Sequence, residues 1–368
     1  MGDAQQQWNV PTGQTPPAPP PSRTGSGGAL KGCLLATVIV GVICFLGFVA
    51  LIALVVVAGT AGMATSTVVD GGHRFQEVIL SGRYGDPKVV CIPVEGVLFG
   101  SGVSMAETNP VAVIAAQLRR AERDADVCGV ILFVDSPGGG MTASDVLHRE
   151  IKRFRAAPGG KPVVVCMMDV AASGGYYISV AADRIIAHPT AITGSIGVMM
   201  PLYDATALMK KVGVQSETIT SGPYKDIASP FAEKTAEQKR REREILQQLV
   251  DDMHERFVTV VAEGRNMDVA EVRQIADGRI FTADEAVELK LVDEIGYQSD
   301  AVDAVKALSQ VDDVQLVQYR RVITMVDILG AFAKGPEVHL DVGHGLPPLE
   351  GGRPMYLWVP PAAGSASP

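Results

Sequence analysis

Between Cys128 and Val198 three short apolar runs each lead into a glycine-rich turn, and this repetition restricts the fold more than any other feature of the chain. The first run, Gly129 to Asp135, is followed by Ser136-Pro-Gly-Gly-Gly140. The second, Pro162 to Met168, precedes Ala171-Ala-Ser-Gly-Gly-Tyr-Tyr177. The third, Arg184 to Ala187, precedes Thr193-Gly-Ser-Ile-Gly-Val198. Short β-branched runs that end in glycine and open into helix-like stretches predict strand–turn–helix units, hence an α/β fold. Open sheets of this class place their chemistry at the carboxyl ends of strands, where backbone N–H groups and small side chains gather.

The flanking sequence divides into distinct regions. Residues 1–31 are rich in Pro, Gln, Gly and Ser and predict a disordered tail. No charged residue occurs from Gly32 to Val69, and Cys33 to Gly59 is almost wholly apolar. As a helix at ~1.5 Å per residue that stretch reaches about 40 Å, more than the ~30 Å hydrocarbon core. A transmembrane signal anchor over 32–60 is therefore expected. The competing reading, a signal peptide cleaved among the small residues Ala58 to Ala64, usually has an apolar region of only ~7–15 residues. Arg23 and Lys31 precede the span and Asp70 follows it, which predicts a cytoplasmic N-terminus and an extracytoplasmic main domain.

Residues 61–87 then read as linker, 88–321 as the main domain and 322–368 as a C-terminal extension. Lys88 to Leu98 predicts the first strand, and Asn109 to Ala125 an amphipathic helix. Thr142-x-x-Asp145, Thr235-x-x-Gln238 and Thr282-x-x-Glu285 are capping signals for three helices, the second of them long. Val214 to Thr220 and Val314 to Tyr319 are further strand candidates, with a helix from Asp300 to Leu308. Met355-Tyr-Leu-Trp-Val359 is too apolar to be idle and predicts either an edge strand or a surface that packs on a partner.

A net charge of −9 over 368 residues argues against a nucleic-acid surface. No CxxC, His-x3-His or HExxH occurs, so no metal or other cofactor is expected. Cys91, Cys128 and Cys166, beside strand-like runs, read as small buried thiols.

Ser173 lies between a strand and a predicted helix and is followed by two glycines. A serine so placed is either a helix N-cap or a nucleophile held in a tight turn. The Gly174 N–H, together with an amide of the 136–140 turn, would suit an oxyanion hole. The base is open on the residues alone. His148, His188 and His254 read as packed or solvated residues. Lys225, in Ser221-Gly-Pro-Tyr-Lys-Asp226, is either a solvated loop lysine or a base whose amine is kept neutral by desolvation.

Four strings in this order, Asp135-Ser-Pro-Gly-Gly-Gly140, Ala172-Ser-Gly-Gly-Tyr-Tyr177, Thr193-Gly-Ser-Ile-Gly-Val198 and Ser221-Gly-Pro-Tyr-Lys-Asp226, resemble the signal peptide peptidase A family. That is family S49 of the serine peptidases, within the Clp-protease/crotonase superfold of repeated β-β-α units. Gly278-Arg-Ile-Phe-Thr282 and Leu291-Val-Asp-Glu-Ile-Gly296 also resemble its C-terminal region. The likeness runs from about Lys88 to Tyr319. It implies that Ser173 is the nucleophile and Lys225 the general base, with Ser195 orienting the lysine. Gly139 and Gly174 would be the oxyanion-hole donors. It further implies peptide substrates, signal peptides among them, and a homo-oligomer in which Lys225 reaches a neighbour's Ser173. Lys290 departs from the family, which usually has glycine before Leu-Val-Asp. Two rival readings are a crotonase-type acyl-CoA enzyme and a catalytically silent membrane scaffold.

Overall fold

A computed structural model of the chain describes residues 46–47, 68–70, 73–100, 109–322 and 355–357. The chain divides into two compact units, Met1–Ala64 and Thr65–Pro368. The expected tail, and all but two residues of the expected anchor, lie outside the described residues. Among the described residues no helix is long and apolar enough to cross a membrane.

The second unit begins with β1 (Val68–Asp70), β2 (His73–Ser81), β3 (Lys88–Glu95) and α1 (Pro110–Arg123). β4 (Val127–Ser136), β5 (Gly138–Gly140) and α2 (Met141–Arg155) form the first glycine-turn unit. The second is β6 (Val163–Ala172) with α3 (Gly174–Ser179), and the third contains β7 (Arg184–Ala187) and β8 (Ile192–Gly194). There follow α4 (Thr206–Val212), α5 (Ala236–Arg265), α6 (Val269–Ile275), β9 (Ile280–Thr282) and α7 (Ala283–Glu288). The order closes with β10 (Glu294–Ile295), α8 (Gln298–Ser309), β11 (Gln315–Arg321) and β12 (Met355–Leu357).

These elements make a mixed α/β fold around a ten-stranded sheet, with main order β1-β2-β11-β3-β4-β6-β7-β10 and with β8 and β9 branching from β6. Pairing is parallel from β11 through to β10, and antiparallel at the β1–β2–β11 margin and between β8 and β9. β4 and β6 are nearly unbroken apolar runs because both of their faces are covered. Val130, Leu132, Val134, Val163 and Val165 join a core with Leu118, Leu147, Ile151 and Tyr177. On the opposite face Ile131, Val164 and Cys166 pack against Ala301, Ala304 and Val305 of α8. Each buried Val, Ile or Leu contributes about 1.5–3 kcal/mol, which pins the strand order and hence the turns at the strand ends. Cys91 and Cys166 are indeed buried, and burial pushes their thiols up to about 12 and about 11.

The local signals mostly act as read. Asn109 caps α1 by accepting from the Ala112 N–H, and the Thr235/Gln238 and Thr282/Glu285 boxes are both formed. Three expectations are corrected. α2 starts from Gly140 without a side-chain cap, because Asp145 accepts from the Tyr177 hydroxyl and from Arg256 instead. Residues 73–81, expected within the linker, form a nine-residue strand paired with β11, a partner too distant in sequence to be anticipated. Val214 to Thr220 forms no strand; every residue there is exposed, and among the described residues no backbone offers it a ladder.

Candidate active site

The three glycine turns converge because β4, β6 and β8 lie side by side. Ser136 at the end of β4 pairs with Ala171, and Ala172 at the end of β6 pairs with Gly194 of β8. Ser173 and Ser195 each follow a paired residue. Two serines 22 positions apart thereby come to adjacent strand ends, where strands lie ~4.8 Å apart. The junction is hydrogen-bonded: the Ser173 N–H donates to the Gly194 carbonyl at 2.8 Å, and the Ser195 N–H donates to the Arg279 carbonyl at 2.8 Å.

Both serines have left-handed backbones, with φ 54° at Ser173 and 49° at Ser195. Ser173 combines its φ with a ψ of −115°, outside the conformations that residues with a Cβ ordinarily adopt, and its side chain does not cap α3. Of the two sequence readings, the N-cap is therefore not what the hydroxyl does. Ser173 is only 1% exposed and its hydroxyl makes no hydrogen bond to a described residue. Strain of this kind, of order 1–3 kcal/mol, persists only where surrounding structure imposes it, and it clusters at functional positions.

The 136–140 turn closes over α3. The Ser136 hydroxyl donates to the Gly96 carbonyl at 2.6 Å and accepts from the Gly138 N–H at 3.1 Å. A Cβ on Gly175 would stand 2.5 Å from the Ser136 carbonyl oxygen, so glycine there lets the first turn of α3 meet this loop. A Cβ on Gly139 would overlap the Leu98 carbonyl. Gly139 and Gly174 are both buried, and the Gly174 amide precedes the first hydrogen bond of α3, from the Tyr177 N–H to the Ser173 carbonyl at 2.8 Å. The amides of two glycine turns and one strained serine thus share one end of the sheet.

Lys225 is not bonded to this group. It is exposed, its ammonium makes no hydrogen bond or ion pair among the described residues, and none joins it to Ser173. It occupies a stretch between β8 and α5 on which Leu202, Tyr203, Leu208, Val212, Ile219, Tyr224 and Phe231 are exposed, and α4 within it buries no residue. The base of this stretch is held by Lys234, whose side chain is 7% exposed and pairs with Asp226 at 3.4 Å and Glu242 at 2.5 Å. Sequence reasoning missed Lys234, since Lys-Thr-Ala-Glu at a helix start gives no signal that the side chain of its first residue is largely covered.

The two tyrosines of the Ser-Gly-Gly-Tyr-Tyr string anchor α3. The buried Tyr176 hydroxyl donates to the Leu291 carbonyl at 2.9 Å, and the Tyr177 hydroxyl donates to Asp145 at 2.7 Å. Burial works against the charge on Asp145, but the Arg256 and Tyr177 hydrogen bonds hold its carboxyl below the usual range. His148 packs edge-on against Tyr177, 5.2 Å between ring centres, and burial drives its imidazole down to about 4. His188 bonds Thr190 at 2.8 Å, and His254 bonds the Ala276 carbonyl at 2.7 Å. None of these three hydrogen-bonds Ser173, in agreement with their reading as packed or solvated residues. Ser195 also borders an open cleft of about 510 Å³ with Gly197, Met199, His254 and Gly278.

This geometry can be set against known proteins. The family model described as "Peptidase family S49" matches residues 155–312, which include Ser173, Gly174, Ser195 and Lys225. A provisionally named signal peptide peptidase SppA of Enterococcus faecium is 36% identical over 253 residues, 68% of this chain and 72% of that one. The chain belongs to peptidase family S49. A provisionally named protease of Methanocaldococcus jannaschii is 38% identical over 220 residues, 60% of this S49 chain and 68% of its own length. Protease 4 of Salmonella typhi is 34% identical over 238 residues, which make up 63% of this chain and 37% of that longer one. Among solved structures, a point mutant of ClpP1 from Listeria monocytogenes aligns at 18% identity with a TM-score of 0.38, over 58% of this chain and 94% of that one. A likeness that low carries no argument. Lys290 adopts φ 60° at the end of α7, which is the backbone shape that glycine favours.

Proposed function

We propose that the chain is a membrane-anchored serine endopeptidase that hydrolyses signal peptides or other unfolded peptides through a Ser-Lys dyad, on a Clp-protease/crotonase-type fold. Ser173 is the nucleophile. Neutral Lys225 accepts its proton, the acyl-enzyme forms, and water hydrolyses it with the lysine again as base. Ser195 orients the amine, while Gly139 and Gly174 donate to the developing oxyanion. The observation that carries this reading is the buried, strained Ser173 set between two glycine turns, because strain at a serine that caps nothing has no structural purpose.

The exposed position of Lys225 favours a base delivered to another subunit. A lone ammonium in water does not deprotonate serine, since a base must be desolvated to titrate near neutrality. The exposed apolar residues of the same stretch would be covered in a homo-oligomer, and docking there would bring Lys225 out of water against a neighbour's Ser173. The apolar span 32–60 would tether the assembly to lipid, with residues 1–31 cytoplasmic and the catalytic unit outside.

Ser173→Ala and Lys225→Ala are each expected to abolish peptide hydrolysis. Co-assembly of the two inactive variants should restore activity, because a neighbour supplies the missing group. Two inactive variants that stay inactive when mixed, despite forming the same oligomer as wild type, would refute sharing. Labelling of Ser173 by an acylating serine reagent separates this reading from a silent scaffold.

A further inference from the structure

From Gly197 to Arg256 no residue is buried, so apolar packing within one chain does little to shape the stretch that carries Lys225. Polar contacts hold it instead. Three overlapping turns run past Lys225: its N–H donates to the Gly222 carbonyl at 3.2 Å, the Ile227 N–H to Tyr224 at 3.2 Å and the Ser229 N–H to Asp226 at 3.0 Å. Ala228, inside the last turn, has a left-handed backbone at φ 63°, which a residue with a Cβ keeps only where its surroundings impose it. The Lys234 ammonium donates to the Asp226 carbonyl at 2.7 Å and pairs with the carboxylates of Asp226 at 3.4 Å and Glu242 at 2.5 Å. Asp226 adjoins Lys225, and Glu242 lies in the second turn of α5, a helix whose buried Phe257, Val258 and Val261 join the main core. One covered ammonium thus fastens the Lys225 turn to a helix rooted in that core. Other acidic residues nearby are also taken, Asp204 by Lys239 at 2.8 Å and Glu233 by Lys210 at 3.0 Å. A carboxylate left free beside Lys225 would hold its amine as an ammonium, the form that accepts no proton.

We propose that Lys234 is a positioning residue for the reaction: it fixes the Asp226 peptide and claims the Asp226 carboxylate, so that Lys225 is presented on a rigid turn with its neighbouring carboxylate already occupied. The inference rests on the reading of Lys225 as a base lent to a neighbouring subunit. Lys234 acts through Lys225, and within the chain that lends it.

The test uses mixed full-length assemblies of Ser173→Ala, which lends only Lys225, with Lys225→Ala, which supplies only Ser173. Lys234→Met, an uncharged side chain of similar length, is added to one partner at a time. On the Ser173→Ala chain it is expected to lower kcat about 10^2-fold with KM unchanged, the effect of a misplaced catalytic group. On the Lys225→Ala chain it should change neither. Glu242→Gln, a milder loosening of the clamp, should act with the same asymmetry and decides the matter where Lys234→Met fails to assemble. Equal losses from either placement would mark Lys234 as merely structural and overturn the proposal, as would no loss from either. Hydrogen exchange at the Ser229 amide, whose acceptor is the Asp226 carbonyl, should quicken at least about tenfold in Lys234→Met. Unchanged exchange there also overturns the proposal. Mixtures that stay silent without any change at position 234 refute sharing between subunits; kcat of Lys234→Met alone then decides, and a wild-type value sinks the positioning role. A wild-type chain that cleaves no peptide refutes the peptidase reading separately, and exchange, which needs no turnover, still decides whether Lys234 holds the turn.

Discussion

The backbone of Ser173 offers a quantitative test of how the site is held. Its φ of 54° and ψ of −115° place a residue with a Cβ where glycine alone is at ease, at a cost of about 2 kcal/mol. Replacing Ser173 by Ala keeps the Cβ and the strain, whereas replacing it by Gly removes both. At an ordinary buried position Ala→Gly costs roughly 0.7 kcal/mol in unfolded-state entropy and about 0.8 kcal/mol in lost apolar burial, near 1.5 kcal/mol in all. At position 173 relief of strain should offset that loss, so the Gly variant is expected to be as stable as the Ala variant to within about 0.5 kcal/mol. Ala171→Gly, at a fully buried site in β6, supplies the reference and should show the whole loss, about 3–6 °C in Tm for a unit of this size. Thermal unfolding of the four proteins side by side is the assay, with peptide hydrolysis as the second readout. Both Ser173 variants should lose activity on the order of 10^6-fold. If Ser173→Gly melts below Ser173→Ala by as much as Ala171→Gly melts below wild type, the serine is not strained and the argument from strain to nucleophile fails.

Three further outcomes follow from particular contacts. Gly139→Ala drives a Cβ into the Leu98 carbonyl and displaces β5, so kcat should fall by about 10^2–10^3 while Ser173 remains in place; kcat at or near the wild-type value would remove Gly139 from the oxyanion hole. Lys290→Gly relieves φ 60° at an exposed helix end and should stabilise the chain by about 1 kcal/mol, read by denaturant midpoint, with unaltered activity. His148 titrates at 6.5 when unfolded and at about 4 when folded, so between those values the unfolded chain binds the extra proton. Stability is then complete above pH 6.5 and declines as the pH falls toward 4, by about 3 kcal/mol in total. Burial is the main cause, with Lys152 and Arg256 adding to it and Asp145 opposing it. His148→Leu should flatten the stability profile across that window, and an unchanged profile would assign the acid limb to other groups.

The sequence alone determined the kind of sheet and the place of its turns. Runs such as Val130 to Val134 and Val163 to Met167 are apolar at every position, which suits only strands covered on both faces, and the glycines after them mark where the chain must turn sharply. Capping boxes at Thr235 and Thr282 are equally local, since the residues that satisfy the helix amides lie three positions apart. What required the tertiary structure was every relation that depends on register between distant segments. That β2 joins β11, that Gly194 accepts from Ser173, and that Tyr356 faces Gly139 follow from hydrogen-bond ladders whose partners no periodicity reveals. The covered side chain of Lys234 and the exposed one of Lys225, nine residues apart in one loop, were undecidable from composition, because a lysine's environment is set by which carboxylates the fold brings to it. Local chemistry sets the elements, whereas solvent exclusion and strand pairing, which act across the whole chain, decide which of their groups meet.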